Sequence, residues 1–305
     1  MSSENIYDVI IVGGSYSGLA AGMALGRSLR KVLIIDSGKP CNRQTPQSHN
    51  FITQDGTPPA EIARLAKAQV ALYPTVRFVD GVATTGQKTD SGFSIGTAKG
   101  EVFHAQQVLF ATGIKDLMPA LPGFAECWGI SVLHCPYCHG YEVHHQKTGL
   151  IGNGEMGFHF SGMISHWTDD LTLFTDGPST LSPDQTATLA AKNIKVEESP
   201  ITKLVHEQGR LDSVILADGR AIAFPALYAH CEFEQHCTIP EMLGCEITEE
   251  GYVQVDAFQQ TNIKGIYASG DCTSRMRTVA SAVSMGTMAG MMMNKDMVMA
   301  DFMAN

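Results

Sequence analysis

The sequence has no run of lysine or arginine, and its 31 acidic against 21 basic side chains leave a formal charge of −10 over 305 residues. Such a chain offers no stripe of cations to follow a phosphate backbone, so nucleic acid is not an expected partner. It also lacks an uninterrupted apolar run long enough to span a bilayer, and no membrane association is expected. The longest candidate, TVASAVSMGTMAGMMMN between Arg277 and Lys295, is broken by serine, threonine and glycine and reads as a buried helix. Its Gly286 and Gly290, in GxxxG spacing, point to close helix packing. The N-terminal MSSENIYDV has neither the charged start nor the apolar core of a secretory signal, so a cytoplasmic location is expected.

Paired cysteine motifs are equally scarce. Of eight cysteines, six (Cys41, Cys127, Cys231, Cys237, Cys245 and Cys272) are scattered and read as small apolar side chains kept reduced. Only Cys135 and Cys138 make a recognised spacing, inside HCPYCHGYEVHH at 134 to 145. Two cysteines flanked by His134, His139, His144 and His145 fit a redox disulfide, a zinc site or the CxxCH of a c-type haem.

What the chain does contain is a duplicated glycine turn. Residues 6 to 36 read as a strand (Ile6–Val12), a turn, a helix-compatible stretch to Arg30 and a second strand from Val32 that ends at Asp36. This is the βαβ arrangement in which a helix N-terminus receives a pyrophosphate and an acid at the end of the second strand receives ribose hydroxyls. The turn runs Gly13, Gly14, Ser15, Tyr16, Ser17, Gly18, so serine holds the place of the middle glycine. A second copy begins near residue 147, where Gly152, Gly154 and Gly157 complete a GxGxxG after a strand. A whole domain is therefore repeated. Ala111, Thr112 and Gly113, and a strand ending in Gly270 and Asp271, complete the set.

In order and spacing these motifs resemble the low-molecular-weight thioredoxin reductases over nearly the whole chain. The resemblance implies an α/β fold of two dinucleotide-binding domains, Rossmann-like and three-layered, the second inserted into the first. The boundaries expected are 1–116 and 245–305 for an FAD-binding domain and 117–244 for an NAD(P)-binding-like domain carrying the CxxC. FAD is the implied cofactor, held by Gly13, Gly14, Ser15, Ser17, Gly18, Asp36, Ala111, Thr112, Gly113, Gly270 and Asp271. Arg43 and Asn50, in the loop CNRQTPQSHNF, join them by family position. The resemblance also implies a homodimer and assigns the two cysteines to a redox disulfide, with no metal. Cys138 becomes the sulfur facing the flavin and Cys135 the one that exchanges with substrate.

Two departures bear on direction. The reductases carry an aspartate after the second cysteine, where this chain has His139, and CPYCHGYE instead resembles the dithiol oxidases of gliotoxin- and holomycin-type compounds. His139 is then the expected base, matched to neutral pH, with Glu142 and His134 as residues that orient it. The second departure is electrostatic. No lysine or arginine occurs from Thr148 through Ala191, Glu155 sits inside the second glycine turn, and Asp176 follows the strand Leu171–Phe174 where NADPH would need a cation. The expectation is an FAD-dependent oxidase that converts a dithiol to a disulfide with O2 as acceptor. A disulfide reductase fed by NADH, ferredoxin or another flavoprotein, and a non-enzymatic flavin redox sensor, are the alternatives.

Overall fold

A computed structural model describes residues 5–304; residues 1–4, part of the N-terminal stretch discussed above, lie outside the described residues. The chain opens with β1 (Ile6–Val12), α1 (Tyr16–Arg27), β2 (Val32–Asp36), α2 (Pro59–Val70) and β3 (Val76–Asp80). It continues through β4 (Ala83–Thr89), β5 (Gly92–Thr97), β6 (Val102–Phe110) and β7 (Ile114–Asp116). Next come α3 (Phe124–Cys127), β8 (Val132–Leu133), α4 (Pro136–His139), β9 (Thr148–Ile151), α5 (Gly154–Ile164), β10 (Leu171–Phe174), α6 (Pro183–Ala191) and β11 (Lys195–Glu197). The antiparallel strands β12 (Ile201–Glu207), β13 (Arg210–Leu216) and β14 (Ala221–Ala223) follow, then β15 (Ala226–Ala229) and β16 (Phe233–Gln235). The chain closes with α7 (Ile239–Met242), β17 (Ile266–Ala268) and α8 (Val279–Ala304).

Two compact units result. One comprises residues 1–43, 59–115 and 233–305, the other residues 44–58 and 116–232. In the first, β3, β2, β1, β6 and β17 form a parallel array. The β6 strand is shared: Val108–Phe110 pairs with β17, while Val102–Ala105 pairs with the antiparallel β5. Buried on both faces, β1 is a near-continuous apolar run, as a central parallel strand must be. Val9 and Ile11 pack with Leu19 and Leu25 of α1 and Met293 and Met297 of α8. Ile10 and Val12 face a second core with Phe93, Phe103, Ile239 and Val253. Each such fully buried side chain contributes roughly 1.5–3 kcal/mol.

The buried helix expected here, α8, buries one face: Gly286, Ala289, Gly290, Met293 and Met297 are covered while Met291, Met299, Phe302 and Met303 are exposed. Its GxxxG pair does pack closely. A Cβ on Gly286 would overlap the Ser17 backbone, and one on Gly290 would sit 2.8 Å from the Ala21 carbonyl oxygen.

The second unit repeats the theme with the parallel order β11-β10-β9-β15-β8. Departure from the first unit falls after Lys115, beside the expected seam, but the return comes at Phe233 and not at 245. Ile239 and Cys245 are buried in the first unit's core, which fixes the intervening residues there. The loop 44–58 belongs to the second unit, an allegiance that the motifs do not report. The first helix also ends at Arg27, short of Arg30, because Leu29 turns into the left-handed region at φ 62°.

Candidate active site

In the first unit the glycine turn is built as a phosphate cradle. Gly13 has φ 105°, and a Cβ there would overlap the Ala111 carbonyl, so only glycine fits where the two strand ends meet. A Cβ on Gly18 would overlap the Gly13 carbonyl in turn. The Gly14 N–H donates to Asp36 Oδ1 at 3.0 Å, which fixes the acid at the end of β2. Ser15 takes the N-cap position of α1 without capping it through its side chain, leaving N-terminal N–H groups of that helix to a ligand. The Ser17 hydroxyl is buried and bonded to Ser269 Oγ at 2.6 Å, so it ties α1 to the strand that ends in Gly270 and Asp271. Gly113 and Gly270 both have positive φ (63° and 83°). Thr112 lies between Ala111 and Gly113 at the end of β6. Asp271 lies 3.9 Å from Arg277 Nε, with both side chains largely buried, and accepts from Cys41 Sγ at 3.7 Å. Arg277 is a cation beside the expected flavin acid that no motif announced.

Arg43 and Asn50 fall in different units. Arg43 is in the first unit and donates to the Pro40 carbonyl (3.2 Å), whereas Asn50 lies in the 44–58 loop at φ 57°, its N–H donating to Asp55 (2.8 Å).

In the second unit Cys135 and Cys138 form a disulfide with a Cα–Cα distance of 5.3 Å. Cys135 is the N-cap of α4, Pro136 opens the helix where no amide donor is needed, and the N–H groups of Cys138 and His139 both reach the Cys135 carbonyl at 3.2 Å. Gly140 closes it, because a Cβ there would sit 2.9 Å from Trp167 Nε1. His139 retains some accessible edge but is largely surrounded by protein. That burial, and secondarily the neighbouring His49, lowers it from 6.5 to about 4. The imidazole is thus neutral at physiological pH, a lone-pair acceptor that gives up a proton readily, and not the group matched to neutrality that the sequence suggests.

The two residues expected to orient His139 each make a contact of their own. Glu142 faces His49, with Oε1 3.4 Å from Nδ1, and His134 stacks on Trp128 at 5.7 Å between ring centroids. His144 Nδ1 pairs with the Tyr141 carbonyl, and the His145 N–H donates to the Trp167 carbonyl at 2.7 Å. Among the described residues no group of three or more His, Cys, Asp or Glu is arranged to hold a metal ion. No helix among them is long and apolar enough to cross a membrane.

The second glycine turn differs in charge from the first. Glu155 accepts from Gln185 at 2.7 Å and lies 3.3 Å from His159. Asp176 follows β10 with φ 52° and accepts from the Ile201 N–H at 2.7 Å. Glu197 and Glu198 stand beside it: the Thr175 N–H donates to the Glu197 carbonyl (2.9 Å), and the Gly177 N–H to that of Glu198 (3.0 Å). Arg220 is held by Glu197 (2.7 Å) and Asp218 (2.6 Å), and Lys195 by Asp170 (3.1 Å). Sequence reasoning found Asp176 but missed the two glutamates, which become its neighbours only when β11 pairs with β10.

The model of the pyridine nucleotide-disulphide oxidoreductases matches residues 7–286. The chain belongs to this family. It is 30% identical to the thioredoxin reductase sirT of Leptosphaeria maculans, over 98% of this chain and 97% of that protein. The crystal structure of an oxidoreductase from Agrobacterium tumefaciens superimposes with a TM-score of 0.90 at 36% identity, covering 96% of this chain and 99% of the other. The crystal structure of HlmI superimposes with a TM-score of 0.93 at 30% identity, covering all of this chain and 96% of the other. Membership makes the chain a thioredoxin reductase-like disulfide oxidoreductase with FAD as cofactor, and the cradle at Gly13, Asp36 and Gly270 has the open backbone and placed acid that this dinucleotide needs.

Proposed function

We propose that this oxidoreductase oxidises a dithiol to a disulfide, with O2 as the final acceptor and without NADPH. The observation that carries this reading is the acidic end of the second sheet. The Asp176 carboxylate stands at the end of β10, where a 2′-phosphate would require a cation, with the Glu197 and Glu198 backbone paired alongside it, and Arg220 and Lys195 are already paired with carboxylates. A carboxylate there repels the phosphate of NADPH. The remaining source of electrons is the thiol chemistry at Cys135–Cys138. A substrate thiolate attacks Cys135, a mixed disulfide forms there, and Cys138 leaves as a thiolate. The second substrate sulfur then displaces Cys135, and the substrate departs as a disulfide. His139, neutral and adjacent in sequence to Cys138, accepts the thiol proton. FAD supplies the two-electron redox capacity that restores the disulfide. Cys135 and Cys138 are the redox pair of this scheme, Arg43 and Asn50 remain assigned to the flavin by family position, and the active form is a cytoplasmic homodimer.

A reductase fed by NADH is the second reading, favoured by the similarity to the thioredoxin reductase sirT and by Asp176, an acid at the strand end where ribose hydroxyls are held. Anaerobic titration of the flavin absorbance with NADPH, NADH and then dithiothreitol separates the two. Bleaching by the dithiol alone, with peroxide formed on admitting air, is the expected result. Bleaching by NADPH at comparable concentration overturns the proposal, and bleaching by NADH alone establishes the second reading.

A further inference from the structure

The disulfide helix has a neighbour from the loop CNRQTPQSHNF. The 44–58 loop, folded with the second unit, is closed by hydrogen bonds from the Ser48 N–H to the Thr57 carbonyl and from the Gly56 N–H to the Ser48 carbonyl, both 2.9 Å. It delivers His49, only 14% exposed, to a position edge to face with His139, 6.2 Å between ring centroids and 85° between planes. His49 Nδ1 lies 3.4 Å from Glu142 Oε1 and 3.6 Å from Asp55 Oδ1. Asp55 is fixed by the Asn50 N–H, and Glu142 follows the disulfide helix directly. Two carboxylate oxygens 3.4 and 3.6 Å from one nitrogen favour the tautomer with its proton on Nδ1, which leaves the lone pair on Nε2.

Oxidation of a dithiol releases two protons with its two electrons, and His139 is poorly placed to keep one. It is desolvated, and the charge-bearing ring that faces it is another histidine, His49. A positive charge on His49 would instead sit against Glu142 and Asp55. Tyr228, buried on β15, is close enough to Glu142 to feel its charge, and its hydroxyl has no hydrogen-bond partner among the described residues. Among the described residues, Asp55, His139 and Tyr228 are titratable groups that face the His49–Glu142 pair.

We propose that His49, held by Glu142 and Asp55, is a positioning residue for thiol–disulfide exchange: it orients His139 and takes up the positive charge when His139 accepts a substrate proton. In the step concerned the substrate S–H bond breaks, its sulfur bonds to Cys135, the Cys135–Cys138 bond breaks, and Cys138 leaves as a thiolate. The proton goes to the His139 imidazole and on to His49. This rests on the reading that Cys135–Cys138 exchanges with a thiol.

The test compares the FAD-loaded wild type with His49→Gln, Glu142→Gln and the double variant. Reaction of the disulfide with dithiothreitol is quenched by rapid alkylation and counted by mass spectrometry across pH 6 to 9, in parallel with flavin absorbance. His49→Gln is expected to slow exchange by about tenfold or more near neutrality, with the deficit shrinking as pH rises and solution thiolate replaces assisted deprotonation. Glu142→Gln should show a smaller loss of the same shape, and the double variant no more loss than His49→Gln, since both act through one ring. A His49→Gln profile within about twofold of wild type at every pH overturns the proposal. Should that variant fail to fold with FAD, Glu142→Gln decides, and a wild-type profile there overturns it equally. A wild-type disulfide inert to the dithiol removes both this proposal and the reading beneath it, whereas a reactive disulfide with an unbleached flavin removes the oxidase alone.

Discussion

Lowering the pH should unfold the second unit through His139 in particular. The unfolded chain titrates this residue near 6.5 and the folded chain near 4, because burial first and His49 second disfavour the imidazolium. Between those values the unfolded state binds the extra proton, so stability is fully present above 6.5 and is lost as pH falls toward 4. At about 1.4 kcal/mol per pH unit the loss amounts to roughly 3 kcal/mol, a sizeable part of the stability of one domain. Both tryptophans of the chain, Trp128 and Trp167, lie in this unit, so intrinsic fluorescence follows its unfolding without interference from the first. The assay is urea unfolding of wild type and His139→Gln at pH 7 and about 4.5, taken as a difference of differences so that other titrating groups cancel. The wild type should lose about 2–3 kcal/mol more than the variant over that interval. Equal losses, or an NMR titration of the His139 ring centred near 6.5, would refute the reasoning.

Three substitutions probe the rest of the machinery. Gly13→Ala forces a side chain onto the Ala111 backbone at φ 105°, so the protein should purify with little FAD, seen as a low ratio of flavin to protein absorbance. Cys138→Ser should retain FAD yet show no bleaching by dithiothreitol under anaerobic conditions; unchanged bleaching would remove the CxxC from the electron path. Gly286→Ala pushes a Cβ into Ser17 and should cost about 1–3 kcal/mol by thermal or chemical unfolding, with weakened FAD retention because α1 carries the cradle.

Much of the fold is legible because its signals are local. The strand Ile6–Val12, the glycines at 13, 14 and 18, the acid at 36 and the strand Leu171–Phe174 stand where the pattern puts them, since each is a run of apolar residues meeting a turn that only small residues allow. The return crossing at Phe233 is not legible. The helix that follows it has four residues, too few for a periodicity, and belongs to the first unit because Ile239 fills that unit's core. The same limit hides the surroundings of the candidate site. His49 is 90 residues from His139 in sequence, Glu197 and Glu198 approach Asp176 through strand pairing, and Arg277 meets Asp271 across a turn. Residue types announce the chemistry of the CxxC; tertiary placement decides the charge state of what surrounds it.

That last distinction bears on the exchange of aspartate for histidine after the second cysteine. Burial acts on the two groups in opposite directions: it raises a carboxyl and keeps it protonated, and it lowers an imidazole and keeps it unprotonated. A buried aspartate at this position is therefore a proton donor held ready at neutral pH, which suits a reductase that must protonate a departing thiolate. The buried His139, lowered to about 4, is a proton acceptor held ready, which suits an enzyme that must take a proton from an incoming thiol. One substitution in one environment thus exchanges an acid for a base. An acceptor so weakly basic needs somewhere to send the proton, and the carboxylate-backed His49 supplies a place within the same unit.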